Sequence, residues 1–163
     1  MWMAKVMMNH LLEELLKNSK RSDRELAKAL GTSQATITRM RNKLVNDGTI
    51  QKFTVIPDLE KMGFEIMAVT SFKTKLIPEI IEKEVKLAWT KPNVIFSAKA
   101  EGMGKNAIMI SIHKNYTDYA NFLKDFLTAS GGAIESYETV LISLKGGITK
   151  PFSLEHLVKL TET

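Results

Sequence analysis

Between positions 33 and 46 the chain reads SQATITRMRNKLVN. Wound at about 100° per residue, Ile37, Met40 and Leu44 gather on one side of a helix. Ala35, Thr38, Arg39, Asn42 and Asn46 fall opposite, with Gln34, Thr36, Arg41 and Lys43 at the flanks. That outer face carries no acid before Asp47. An arginine fork fits the two acceptors of guanine, a glutamine or asparagine amide pairs with adenine, and threonine can contact a thymine methyl. The chemistry offered is the reading of base edges in a duplex groove, not the making of bonds. A solvated, mildly basic face on an ordinary helix pair would share this pattern, so the flanking elements must decide.

Ser22 and Glu25 have capping-box spacing and open a helix whose Leu26, Ala27 and Leu30 share a face. Gly31 stops it, Thr32 or Ser33 caps the next helix, and Gly48 ends that one after about Asp47. Two short helices on a tight turn form a helix-turn-helix, the second entering the major groove while the first crosses the backbone. A supporting helix over residues 3–18 turns Met8, Leu11, Leu12, Leu15 and Leu16 inward and Glu13, Glu14 and Lys17 to water. TIQKFTVI, residues 49–56, is strand-like and would make a wing or linker strand with Lys52 near the DNA backbone. The expected DNA contacts are Arg21, Ser33, Gln34, Ala35, Thr36, Thr38, Arg39, Arg41, Asn42, Lys43 and Lys52.

Charge follows the same division. Up to Ile56 there are ten Lys and Arg against five acids, and after it thirteen of each sign. Every arginine lies between Arg21 and Arg41. The whole net charge of +5 therefore sits on the candidate helix-turn-helix, the footprint of a phosphate-binding module. The absence of cysteine excludes disulfides, thiolate metal sites and a cysteine nucleophile. No apolar run approaches membrane-spanning length and the N-terminus is no signal peptide, so a soluble, cytoplasmic protein is expected. His10, His113 and His156 lack ligand spacing, and no phosphate loop, nucleophile elbow or dinucleotide fingerprint occurs. No enzyme, metal or cofactor is expected.

From Phe64 the elements alternate: a strand to Lys73, a helix from Pro78 to about Trp89, strands over residues 94–100 and 107–113, a helix from Tyr116, and a last strand over residues 134–144. The order β-α-β-β-α-β is the ferredoxin-like arrangement, one antiparallel sheet under two helices. The fold class is α+β. The domains are residues 1–56, winged helix-turn-helix with linker strand; 57–145, ferredoxin-like; and 146–163, a tail in which Ser153 caps a small helix with Leu154, Leu157 and Val158 on one side. In the third strand Ile108, Ile110 and Ile112 suit the helix-covered face, leaving Ala107, Met109 and Ser111, with Met67 and Val69, on a bare face. A bare, moderately apolar sheet face predicts a homodimer.

This arrangement resembles the Lrp/AsnC (feast/famine) transcription regulators, in their archaeal type. The resemblance covers residues about 11–144 and is clearest in RSDRELAKALGTSQATITRMRNKLVNDGTIQKFTVIPDLEKMGF, residues 21–64. It implies a regulator that binds double-stranded DNA, built of dimers, up to tetramers or octamers, and responsive to a small-molecule effector such as an amino acid. In that family effectors bind near the loop between the second and third strands, here Gly102, Met103, Gly104, Lys105 and Asn106. The family's acid after the glycine is missing; Lys105 with two glycine amides suits a carboxylate or other anion instead. Siroheme decarboxylases resemble the same two domains and are an enzymatic alternative, for which the sequence offers His113 and lysines but no arginine in the second domain. A ligand-binding assembly protein without DNA affinity is a third reading, opposed by the arginine cluster.

Overall fold

Leu11, Leu15, Leu26, Ile37 and Leu44 are buried because three helices close over them. The computed structural model describes residues 2–157, which form two compact units. One runs to Ile56 and takes in the segment from Pro151; the other is Pro57–Lys150.

The first unit holds α1 (Trp2–Lys17), α2 (Asp23–Ala29) and α3 (Gln34–Asn46). Ser22 Oγ accepts from Glu25 N, and the Glu25 carboxylate accepts from Ser22 N at 2.7 Å, closing the capping box. These bonds from Ser22 hold the Glu25 carboxyl below its ordinary range. Glu14, expected to face water, is partly buried instead. Its carboxylate takes Lys17 at 2.7 Å and Arg21, and the Lys17 bond above all keeps its pKa low.

The strand expected over residues 49–56 does not form. Ile50 N donates to Leu44 O at 2.8 Å and its side chain packs on the helical core, after which the chain is irregular and exposed to Pro57. β-branched composition selects a strand only where a second backbone offers donors and acceptors, and among the described residues none pairs with this one. Of the small helix expected from Ser153, the described residues hold one 3-10 turn, Glu155–Leu157, with Ser153 Oγ accepting from Glu155 N at 3.2 Å. Val158 lies outside the described residues.

The second unit runs β1 (Ile66–Thr74), α4 (Pro78–Thr90), β2 (Val94–Gly102), β3 (Lys105–His113), α5 (Tyr116–Ser130), β4 (Ile134–Ser143). The strands pair antiparallel in the order β2-β3-β1-β4. Asn115 caps α5 through Asp118 N at 2.9 Å, and Gly131, at φ 63°, ends it in the left-handed conformation that suits glycine. The helix sets Tyr119, Phe122, Leu123 and Phe126 on Ala68, Phe72 and Met109.

That packing reverses the face expected for β3. Met109, Ser111 and His113 lie under the helices, and Ile108, Ile110 and Ile112 point to the other side of the sheet. The pairing fixes this, since Val69 stands opposite Ile110 and Met67 opposite Ile112, while Ala68 and Phe72 of the same strand are in the helix-covered core. A shift of one residue in the pattern exchanges the faces. Isoleucine was the wrong guide because the helix-covered side is filled by aromatic rings. His113 is enclosed there, its ring centroid 5.4 Å from Tyr119 and 4.9 Å from Phe122, with Nε2 2.8 Å from Ser111 Oγ. Burial pushes the imidazole below its ordinary pKa, against the opposing pull of Asp118 at 3.7 Å.

The loop expected over residues 101–106 is a two-residue turn between Gly102 and Lys105. Met103 (φ 49°) and Gly104 (φ 69°) both have positive φ, as a type I′ turn requires. A non-glycine residue there costs about 1–2 kcal/mol unless, like asparagine, it tolerates the left-handed region. Met103 is 85% exposed, so burial of its side chain does little to offset this. Met103→Asn should raise stability by about 1 kcal/mol, seen as a thermal midpoint about 2–4 °C higher.

Candidate nucleic-acid interface

Because Ile37, Met40 and Leu44 hold α3 to its neighbours, the opposite side of the helix is turned outward. Gln34, Ala35, Thr38, Arg39, Asn42, Lys43 and Asn46 are all exposed and line one shallow, open concavity that ends at Asp47. No carboxylate interrupts it before that residue. At the helix start Ser33 Oγ accepts from Thr36 N at 3.2 Å and lies 2.9 Å from Thr36 Oγ1. Both hydroxyls expected to meet DNA therefore already serve the cap.

Two of the expected arginine contacts are placed differently. Arg41 Nη2 lies 2.7 Å from Asp23 Oδ1 and donates to Arg21 O at 3.2 Å, while its guanidinium sits over the Phe53 ring at 5.8 Å. Arg21 is paired with Glu14. Arg41, at the flank of α3, is near enough to α2 for its long side chain to turn toward Asp23, and Arg21, in the connection before α2, meets Glu14 of α1. Of the four arginines, Arg24 and Arg39 remain exposed and outside any ion pair among the described residues. Lys52 is exposed on the irregular segment after α3.

Asp23 is the residue the sequence did not single out. Its carboxylate accepts from Thr38 Oγ1 at 2.5 Å as well as pairing with Arg41, so one side chain on α2 fixes two on α3. No local motif announces it, because Asp23 stands 15 residues before Thr38 and is farther still from Arg41. The ion pair is largely but not fully buried, with each side chain 20% exposed. Its loss should cost about 1–3 kcal/mol, between the values for surface and buried pairs. Asp23→Ala should therefore lower the unfolding free energy of the first unit by that amount in urea titrations, whereas Arg24→Ala should leave it unchanged.

The β2–β3 turn is less available as an anion site than its sequence suggests. Lys105 Nζ donates to Ser136 Oγ at 3.0 Å and lies 3.2 Å from Glu138, and Asn106 is tied through Oδ1 and Nδ2 to Thr74 N and O, both at 2.8 Å. Gly102, Met103 and Gly104 remain at its tip. Among the described residues no three His, Asp or Glu side chains gather as a metal site, and no described helix is long and apolar enough to cross a membrane.

A helix-turn-helix with an outward, acid-free second helix, followed in the chain by a four-stranded ferredoxin-like unit, defines a class of two-domain DNA-binding regulators. Residues 9–51 match the winged helix-turn-helix DNA-binding family. The chain is 32% identical over 133 residues to the HTH-type transcriptional regulator PH0061 of Pyrococcus horikoshii, covering 82% of this chain and 88% of that protein. The crystal structure of PH0061 superposes with a TM-score of 0.78 at 30% identity, covering 91% of this chain and 95% of that one. An AsnC family transcriptional regulator from Agrobacterium tumefaciens shares the fold at 17% identity (TM-score 0.78, 91% and 93% covered). So does the regulator NMB0573 of Neisseria meningitidis, in complex with L-Met, at 12% identity (TM-score 0.80, 91% and 93% covered). The chain belongs to the family of HTH-type transcriptional regulators that includes PH0061, and it has the fold of AsnC family regulators.

Proposed function

We propose that the chain regulates transcription as a homodimer that lays the outward face of α3 in the major groove of each half of a two-fold operator. The observation that carries this is the contiguous exposed surface of Gln34, Ala35, Thr38, Arg39, Asn42, Lys43 and Asn46, to which α3 itself contributes no carboxylate before Asp47. Arg39 and Asn42 read base edges, Lys43 and Lys52 neutralise phosphate, and Asp23 positions the helix. Selection of bound duplexes from a random pool should enrich an inverted repeat whose half-site centres lie about one helical turn or a multiple apart. Equal retention of all sequences would overturn the reading.

The dimer is supported by the apolar row Phe96, Ile110, Val69 and Val140, which the pairing places side by side across all four strands on the side away from α5. Phe96 is 50% and Val140 65% exposed in one chain. Two copies of this face would also bring two α3 helices to one operator. Dimers assembling further, to tetramers or octamers, follow from the family resemblance alone. The protein acts where DNA is, in the cytoplasm. Enclosure of His113 by Tyr119 and Phe122 favours regulation over the tetrapyrrole-decarboxylating alternative, which needs that side chain within reach of substrate.

Modulation by a small molecule belongs to the same proposal, since the Neisseria relative is a complex with L-Met. At the β2–β3 turn such a ligand would meet Gly102, Met103 and Gly104 rather than the occupied Lys105 and Asn106.

A further inference from the structure

The two helices over the sheet are not equally seated. The four residues of the α5 stripe are buried, while α4 brings Ile81, Val85 and Ala88 toward the same face of the sheet and buries none of them. Val85 is 52% exposed although it faces the sheet. Beneath α4 lies a cavity of about 190 Å³, floored by Phe72, Ala107 and Met109 and closed at one end by Phe126. An apolar cavity of about 150 Å³ is enough to take up benzene.

The polar groups at this cavity are few and one-sided. Lys99 lines it, is exposed, and has neither a carboxylate nor another hydrogen-bond partner among the described residues. Ser97 stands two residues before it on β2, and the strand pairing puts both on the helix-covered side. No Asp or Glu lines the cavity. Asn106, the one amide there, has its oxygen and nitrogen both engaged by Thr74.

We propose that the space beneath α4 is a binding site for a small carboxylic acid with a benzene-sized apolar group and no amino group. The apolar part completes the core that α4 leaves open, and the carboxylate pairs with the Lys99 ammonium, assisted by the Ser97 hydroxyl. An ammonium on the ligand would be desolvated beside a like charge with no acceptor to meet it, which is costly. The site therefore discriminates against free amino acids, and it is separate from the β2–β3 turn. It stands independently of how α3 engages DNA.

Titration calorimetry of the full chain with hydrocinnamate, L-phenylalanine and phenylpropanol tests this. Hydrocinnamate should bind once per chain, on the order of tenfold or more tighter than either other probe, as expected for loss of a charge-assisted contact. Lys99→Gln should remove that preference over the alcohol. Ala88→Phe, which fills the cavity with a ring, should abolish binding and keep the thermal midpoint; Val85→Phe serves where the first variant misfolds. Met103→Asn, in the turn, should bind as wild type does. No heat with hydrocinnamate at millimolar concentration would overturn the proposal. So would equal binding of L-phenylalanine, or binding that survives both cavity-filling variants.

Discussion

Ile110→Asp should leave the protein monomeric at micromolar concentration, where the wild-type chain should sediment as a dimer. Ile110 sits between Phe96 and Val69 in the cross-strand apolar row, and the row ends on Val140. In one chain the new carboxylate would stand on the open side of the sheet and remain hydrated. In a two-fold interface it would be buried twice, near its own copy, and an uncompensated buried charge costs about 3–5 kcal/mol. The dissociation constant should rise by about three orders of magnitude or more, since each 1.4 kcal/mol is about tenfold. Analytical ultracentrifugation reads the mass, and circular dichroism checks that the variant keeps its fold. A folded variant that stays dimeric would place the contact elsewhere on the chain. Glu138→Ala, a polar position of the same sheet face, is the control that should leave the mass unchanged.

How far such a prediction could be made from the sequence depends on which interactions set each element. Helix ends were legible because their determinants are local: Ser22 with Glu25, Ser33 with Thr36, and Gly131 act within a few residues. The order of strands and helices was legible for the same reason. Which side of β3 faces the helices was not, because alternation gives two faces and only the pairing with β1 decides between them. Isoleucines on one side and Ala107, Met109 and Ser111 on the other looked like core and surface, yet aromatic rings of Phe122 and Phe126 from α5 put the second set on the core side. The wing strand failed for a related reason. Residues 49–56 have strand composition, but composition does not supply a partner. At the candidate interface, the burial of Ile37, Met40 and Leu44 and the exposure opposite followed from helical period. The fates of Arg21 and Arg41 did not, since they hang on Glu14 and Asp23, which the fold alone brings near.

The same distinction between outward and engaged arginines sets the effect of substitutions on DNA binding. Arg39→Ala should weaken binding to the selected duplex by about 1–3 kcal/mol and relax preference at one base pair of each half-site. Lys43→Ala should weaken binding to every sequence alike and reduce the salt dependence by about one counterion per subunit. Arg41→Ala should behave differently from both. Its guanidinium is held by Asp23, by the Arg21 carbonyl and over Phe53, so its removal should lower thermal stability and change affinity at all salt concentrations by the same factor. Gel-shift titrations of the three variants at several salt concentrations, with melting curves alongside, separate these outcomes. An Arg41 variant with unchanged stability and a reduced salt slope would mean that this arginine leaves Asp23 to take a phosphate in the complex. An Arg39 variant that binds and discriminates as the wild type does would mean that the outward face of α3 is not the surface that reads DNA.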